Sequence, residues 1–309
     1  MTMSDRPIRS RLAPTPSGYL HLGNACNFVL TWLLVRSQQG HLHLRIDDLD
    51  AARVRPAYLA DVFRSLDWLG LDWDSGPQSP DAHQRHHSQT LRLDRYQQAL
   101  AQLARRGPVF ACTCSRRAVQ AASTDGQYPG TCRRRALDLQ GPARSWRLQT
   151  PSAAPIRWTD GWLGPQAVDL HAVMRDPVLR RRDGLPAYQL ASVVDDLDQG
   201  TTLLVRGQDL LPSSAAQRML AIQGEWFDFL GIALYHHPLL SDEQGRKLAK
   251  SAGSRSLQHL REAGHSSEQV YHWLGQQLGW PEPVRSAQEA LARFRADDSP
   301  PPQLQMPTF

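Results

Sequence analysis

The stretch Arg11-Leu-Ala-Pro-Thr-Pro-Ser-Gly-Tyr-Leu-His-Leu-Gly-Asn24 decides how this chain is read. Two prolines fix φ, Gly18 permits a sharp turn, and His21-Leu-Gly23 opens an apolar run. Ile8–Leu12 before it reads as a short strand, and Ala25–Ser37 after it as a buried helix closing at Gly40. The first N–H groups of a helix have no partner within it, so a rigid turn between strand and helix can hold a nucleotide's phosphates. Proline and glycine alone would equally describe an ordinary loop.

Working outward, His41-Leu-His-Leu-Arg-Ile46 alternates as a strand does and delivers Asp47, Asp48 and Asp50 at its C-terminal end. Ligands of open α/β sheets sit at such strand ends, which makes these carboxylates site candidates. Tyr58–Leu69 carries a helical core stripe of Leu59, Val62, Phe63, Leu66 and Leu69. This strand–helix–strand order predicts an α/β fold, a Rossmann-like doubly wound parallel sheet with right-handed crossovers. Asp74–His87 is polar and reads as a flexible solvated loop, its His83, His86 and His87 included, and Gln89–Arg106 as a helix stopped by Gly107-Pro108. Cys112–Arg182 has shorter strands and many breaks, as an insertion would. Tyr188–Asp196 and Thr201–Arg206 resume buried patterning, and Ser213–Gln223 reads as a helix with a serine N-cap. Helices are expected around Ser267–Gly279 and Ala287–Arg295, and a disordered Pro-rich tail over Ser299–Phe309.

A chain of 309 residues, 41% hydrophobic and 21% charged, fits a globular enzyme and excludes a fibrous or disordered class. The longest apolar run, near Phe28–Val35, is too short to span a bilayer, and no signal-peptide pattern opens the chain; a cytoplasmic protein without a membrane partner is expected. Net charge is +5, with arginine clusters at Arg105–Arg106, Arg133–Arg135 and Arg180–Arg182. These suit phosphate contact, and equally an ordinary solvated surface. Both lysines of the chain, Lys247 and Lys250, fall in Lys247-Leu-Ala-Lys250-Ser251. A solubility role would scatter them, so a chemical one is indicated.

Cys112-x-Cys114 and Cys132 lie within about twenty residues, whereas Cys26 sits in the apolar helix as a core residue. Three thiols in a cytosolic chain favour a metal over disulfides, and thiolates with one further N or O donor suit a closed structural Zn²⁺ site. Tyr128, His171 and water compete for the fourth place.

The pair of stretches, Arg11–Asn24 and Lys247–Ser251, resembles the HIGH and KMSKS signatures of class I aminoacyl-tRNA synthetases. The pattern R-x-A-P-[ST]-P-[ST]-G-x-L-H-x-G is similar to that of the glutamyl and glutaminyl branch. The resemblance covers roughly Arg9 to Ser251. It implies a catalytic domain in two halves (1–107 and 187–251), an acceptor-binding-like insertion with the zinc site (108–186) and a short helical extension (252–309). It implies ATP, accompanied by Mg²⁺, held by His21, Gly23, Asn24 and Lys250, with His21, Lys247 and Lys250 acting on the phosphates. It also implies an L-glutamate pocket of Arg11, Leu12, Ala13, Pro14, Thr15, Asp47, Tyr188 and Arg206, with Arg11 the first choice for the side-chain carboxylate and Arg206 the second. The attacking carboxylate is already charged, so alignment and charge stabilisation carry the reaction, without a general base.

Three positions depart from the family's pattern. Asp47 stands where the family has Glu, the lysine motif reads K-L-A-K-S, and HIGH reads His-Leu-Gly-Asn. Little chain follows Ser251, and a C-x-C…Y-x3-C cluster is present. Together these resemble shortened paralogues of the glutamyl branch, in which Tyr128 would complete the metal set. Such paralogues activate glutamate without tRNA and transfer it to the queuosine of tRNA(Asp), and a monomer is expected here. Two alternatives stay open: a minimal glutamyl-tRNA synthetase charging a tRNA 3′ end, and a non-catalytic synthetase-like RNA-binding protein.

Overall fold

The computed structural model describes residues 6–151, 155–241, 256–294 and 304–305. Its strands are β1 (Arg9–Leu12), β2 (His41–Leu44), β3 (Val109–Cys112), β4 (Ser145–Leu148), β5 (Ile156–Asp160), β6 (Gly164–Val168), β7 (Val178–Arg180), β8 (Leu203–Gly207), β9 (Ala233–His237), β10 (Leu240–Ser241) and β11 (Leu304–Gln305). Its helices, single turns included, are α1 (Leu22–Arg36), α2 (Pro56–Leu69), α3 (Pro80–Ala82), α4 (Leu93–Arg106), α5 (Arg116–Ala122), α6 (Leu170–Val173), α7 (Tyr188–Asp198), α8 (Leu211–Gly224), α9 (Phe227–Leu230), α10 (Leu257–Glu262), α11 (Ser267–Gln277) and α12 (Ala287–Arg293). The chain divides into two compact units, one of Met1–Leu91, Thr201–Gln208 and Ala233–Phe309, the other of Arg92–Gly200 and Asp209–Ile232.

The first unit is α/β with parallel strands. β1 pairs with β2 in parallel from Arg9↔His41 to Leu12↔Leu44, and β8 pairs with β9 in parallel from Leu203↔Ala233 to Gly207↔His237. The two pairs are joined at their bases, where Thr202 N–H donates to Arg9 O (2.8 Å) and Arg9 N–H to Thr202 Oγ1 (2.9 Å). The chain thus leaves β1 through α1 to β2 on one side, while β8 lies on the other, the kind of reversal at which open sheets bind ligands. α1 is apolar nearly all round, and eleven of its residues from Leu22 to Val35 are buried, as a helix covered on every side must be. Arg36 in its last turn faces the helix's negative end and pairs with Asp72 (3.1 Å) and Asp74 (2.7 Å). The loop after α2 runs beside β2, with Leu44 N–H donating to Ser75 O (2.9 Å). It passes so close that a Cβ on Gly76 (φ +98°) would meet Leu44 O at 2.1 Å, which reserves that position for glycine.

In the second unit β3, β4 and β7 form an antiparallel sheet, and β5 and β6 a hairpin whose turn is held by Asp160 accepting from the Trp162 and Leu163 N–H groups. Arg92 and Arg95 of the α4 region pair with Asp198 on α7, and Tyr96 donates to the buried Asp195 (2.9 Å).

Several expectations are corrected. Gly18 keeps to ordinary φ, and a Cβ there would meet nothing within 4 Å, so the turn is shaped by its prolines. α1 starts at Leu22, three residues early, because Asn24 Oδ1 accepts from the His21 N–H (3.0 Å) and closes the helix there. On α2 Phe63 is only half-buried, while Asp61 and Ser65 are buried and bonded to Arg261. Ser213 caps nothing, since α8 begins two residues before it with Pro212 in its first turn. The His83–His87 segment is a π-helical turn, and His83 is 1% exposed, so the predicted solvated loop is wrong at its first histidine. Leu304–Gln305, the two described residues of the expected disordered tail, pair in parallel with Leu240–Ser241. Among the described residues no helix is long and apolar enough to cross a membrane.

Candidate active site and cysteine cluster

The site is built by strand register. Beyond β1 and β2 the parallel pairing continues: Arg45 N–H donates to Leu12 O and Asp47 N–H to Pro14 O, both at 2.9 Å. The Arg11–Thr15 stretch and the Asp47 stretch are therefore locked side by side at the C-terminal ends of the two strands. Arg11, Leu12 and Pro14 are buried, Ala13 is half-buried and Thr15 is exposed. Arg206, the penultimate residue of β8, is 2% exposed and lies at the same end of its strand. These residues belong to one unit. Tyr188 opens α7 in the other unit, 43% exposed.

His21 is the exposed N-cap residue of α1, and Gly23 and Asn24 lie in the helix's first turn. Its backbone bridges to Ser256, and Leu257 N–H donates to Leu20 O (2.7 Å). Lys247 and Lys250 lie outside the described residues. The chain that carries them is described again from Ser256, against the His21 turn. At the end of β9, His237 Nδ1 lies 2.8 Å from Pro238 O and must donate to it. Its Nε2 lies 3.1 Å from Asn27 Nδ2, which holds the ring beside α1.

Sequence reasoning missed the support beneath Asp47. Asp47 Oδ1 accepts from Arg45 Nε (2.7 Å) and Gln89 Nε2 (3.3 Å). The neighbouring Asp48 is buried and accepts from His83 Nε2 (2.9 Å), Ser88 Oγ (2.6 Å) and the Gln89 N–H (2.8 Å). Burial works to raise the Asp48 pKa, but those three bonds hold the carboxyl below its ordinary range. The residues lie some forty positions apart with no periodicity, so no pattern in the chain announces them.

In the second unit β3 ends at Cys112, and the following loops bring Cys114, Tyr128 and Cys132 to it. The three sulfurs lie within 4.8 Å of one another. Cys114 Sγ is 3.7 Å from Cys132 Sγ, and Cys112 Sγ is 3.5 Å from the Tyr128 hydroxyl. A tetrahedral zinc with Zn–S of about 2.3 Å and Zn–O of about 2.0 Å has S–S edges of about 3.8 Å and S–O edges of about 3.5 Å. The donor set thus fits such an ion, and the three cysteines could hold a metal such as zinc. Tyr128 is buried and its oxygen accepts from the Cys132 N–H (2.8 Å). Arg147 covers its ring at 3.9 Å. Burial, Cys132 and Cys112 push the Cys114 thiol up to about 11. Cys132, despite burial, is brought down to about 6 by Thr113, Cys114 and Tyr128. Cys26 has only burial acting on it, is pushed up to about 12 and stays an inert core thiol.

The arginine clusters are largely spoken for within the fold. Arg106 bonds Glu225 (2.6 Å), Arg133 pairs with the buried Asp176, Arg181 with Asp183 (2.6 Å), and Arg182 donates to Ala143 O (2.9 Å). Arg105, Arg134 and Arg135 are exposed.

Residues 7–296 match the family described as tRNA synthetases class I (E and Q), catalytic domain. The chain belongs to that family. It is 39% identical to the Glutamyl-Q tRNA(Asp) synthetase of Nitratidesulfovibrio vulgaris over 88% of this chain and 86% of that protein. It is 41% identical to the protein of the same name from Symbiobacterium thermophilum, over 89% and 88% respectively. Among solved structures it shares the fold of the glutamate-tRNA synthetase of Elizabethkingia anophelis, with TM-score 0.81 and 22% identity over 98% of this chain and 68% of that one. The chain is thus a ligase of the class I aminoacyl-tRNA synthetase type. Its parallel strand ends and the N-terminus of α1 can align a nucleotide with a carboxylate substrate.

Proposed function

We propose that this protein activates L-glutamate with ATP, without tRNA, and passes the glutamyl group to the queuosine of tRNA(Asp), the activity that its relatives' name carries. The observation behind this reading is the shared register that sets Arg11–Thr15 against Asp47, with Arg206 at the same end of β8. A dicarboxylic amino acid needs a cation for its side chain and an anion for its ammonium group, and this end of the sheet offers both. Arg11 takes the side-chain carboxylate, with Arg206 the second cation at this end of the sheet, and Asp47 takes the ammonium group.

An α-carboxylate oxygen of glutamate then attacks the α-phosphorus of ATP, and the bond to the bridging oxygen breaks as pyrophosphate leaves. His21, Gly23, Asn24 and the first N–H groups of α1 hold phosphate oxygens. Lys247 and Lys250 meet the charge that builds on the pyrophosphate, and Mg²⁺ arrives with the ATP. A hydroxyl of queuosine next attacks the glutamyl carbonyl, and AMP leaves. Zinc is the ion we assign to Cys112, Cys114 and Cys132, with the Tyr128 oxygen in fourth place; bound there it would tie the end of β3 to two loop segments and would take no part in either step. In this reading 1–107 and 187–251 form the catalytic part, 108–186 the insertion and 252–309 the helical extension.

Glutamate-dependent pyrophosphate exchange without tRNA, followed by charging of tRNA(Asp) with and without queuosine, tests the proposal. Exchange in the absence of tRNA and transfer only to the queuosine form are expected. Exchange that requires tRNA would overturn the first step, and equal charging of both forms the second.

A further inference from the structure

Gln89 touches three consecutive residues where the β2 strand runs into the site. Its backbone N–H donates to Asp48 Oδ1 (2.8 Å), its side-chain Nε2 to Asp47 Oδ1 (3.3 Å), and its Oε1 accepts from the Leu49 N–H (3.4 Å). The amide can stand only one way round, because a flip would set its oxygen against a carboxylate and its NH₂ against an N–H. Gln89 is buried, and its backbone is fixed in turn because His83 and Ser88 hold the Asp48 carboxylate it binds.

An aspartate at position 47 reaches one methylene less far than a glutamate, so its carboxylate must be held at the right spot for an ammonium group to find it. Arg45 and Gln89 both donate to the same oxygen, Oδ1, which fixes its two side-chain torsions. They differ in one respect. The Arg45 guanidinium offsets the carboxylate's charge, whereas the neutral Gln89 amide orients it and leaves the charge in place for a cationic substrate group. We infer that Gln89 is a positioning and specificity-determining residue that sets Asp47 to receive the substrate's α-ammonium group. The inference rests on the proposed role of Asp47.

Gln89→Met keeps the volume and removes both side-chain hydrogen bonds. In pyrophosphate exchange it is expected to raise the KM for glutamate about tenfold, the scale of one hydrogen bond to a charged group, while kcat and the KM for ATP stay within about twofold. Asp47→Ala raises the same KM, and the double variant is expected to be no worse than Asp47→Ala alone, since Gln89 acts through Asp47. Gln89→Asn, which keeps the amide but shortens its reach, must move the glutamate KM in the same direction should the Met variant fold poorly. A wild-type glutamate KM in these Gln89 variants, an equal rise for ATP, or fully multiplicative effects in the double variant would overturn the role of Gln89. A silent Asp47→Ala would overturn the role of Asp47 itself, and the inference with it.

Discussion

The strand ends that carry Arg11, Asp47 and Arg206 and the loops that carry Cys112, Cys114, Tyr128 and Cys132 hold their side chains by opposite means. The first set is placed by backbone hydrogen bonds that extend the β1–β2 register to Pro14 and Asp47. The second stands on the end of one strand and on two loop segments, and its donors hold one another only weakly, at 3.5 to 3.7 Å. Register creates a site before any ligand arrives. A cluster of donors needs its ion to become rigid, because three thiols and a phenol have no strong bonds to offer one another.

The contrast is sharpened most by Lys250→Ala. In the proposed mechanism its charge acts on the departing pyrophosphate, so exchange is expected to fall about a thousandfold with little change in glutamate KM, the size seen when one preorganised charge donor is lost. A fall in glutamate affinity of the same size would mean that the Lys247–Ser251 motif shapes the pocket, and that strand register alone does not. Next in size, Cys114→Ser is expected to release one zinc per chain, measured by atomic absorption, and to lower stability by several kcal/mol. Tyr128 and Cys132 would then lose their common ion, while tRNA-independent exchange continues. Retained zinc would remove Cys114 from the ligand set, and lost exchange would show that the two regions are not built independently.

The smallest effect concerns acid. Burial, with repulsion from Arg45, His87, His41 and Arg9, holds the His43 imidazole on β2 down to about 4. An unfolded histidine takes up its proton near pH 6.5. The stability tied to the neutral ring is therefore complete above that pH and is lost as pH falls from about 6.5 to about 4, on the order of 2 kcal/mol. Urea midpoints between pH 7 and pH 4.5 should show this slope, and His43→Gln should flatten it. A slope that persists in His43→Gln would place the acid sensitivity on another group.

Much of this was legible in the chain because it is local. The Pro-rich turn and the alternation of His41–Ile46 lie within a few residues of what they build, and Cys112, Cys114 and Cys132 lie within about twenty of one another, though their spacing left the fourth donor open among Tyr128, His171 and water. The Asp48–His83–Ser88–Gln89 network was not legible, since its members meet only after α2 has carried the chain away and back. His83 in particular follows a polar run and has the surroundings of a surface residue in sequence, yet a buried carboxylate claims it. The start of α1 was misjudged for a related reason: the side chain of Asn24, not the apolar pattern, sets it.

The bond from the Asp47 N–H to Pro14 O has a bearing on how such a site can evolve. Where two chain segments share register, inserting or deleting one residue in either turns every later side chain to the opposite face. A residue added or lost at 45–46 would take Asp47 off the register that sets its N–H against Pro14 O, whereas an exchange of side chains leaves that register intact. An aspartate at position 47, where the motif that this stretch resembles has glutamate, is the kind of variation such a frame permits: the backbone keeps its count, and adjustment passes to neighbours such as Gln89 that can reach across the missing methylene.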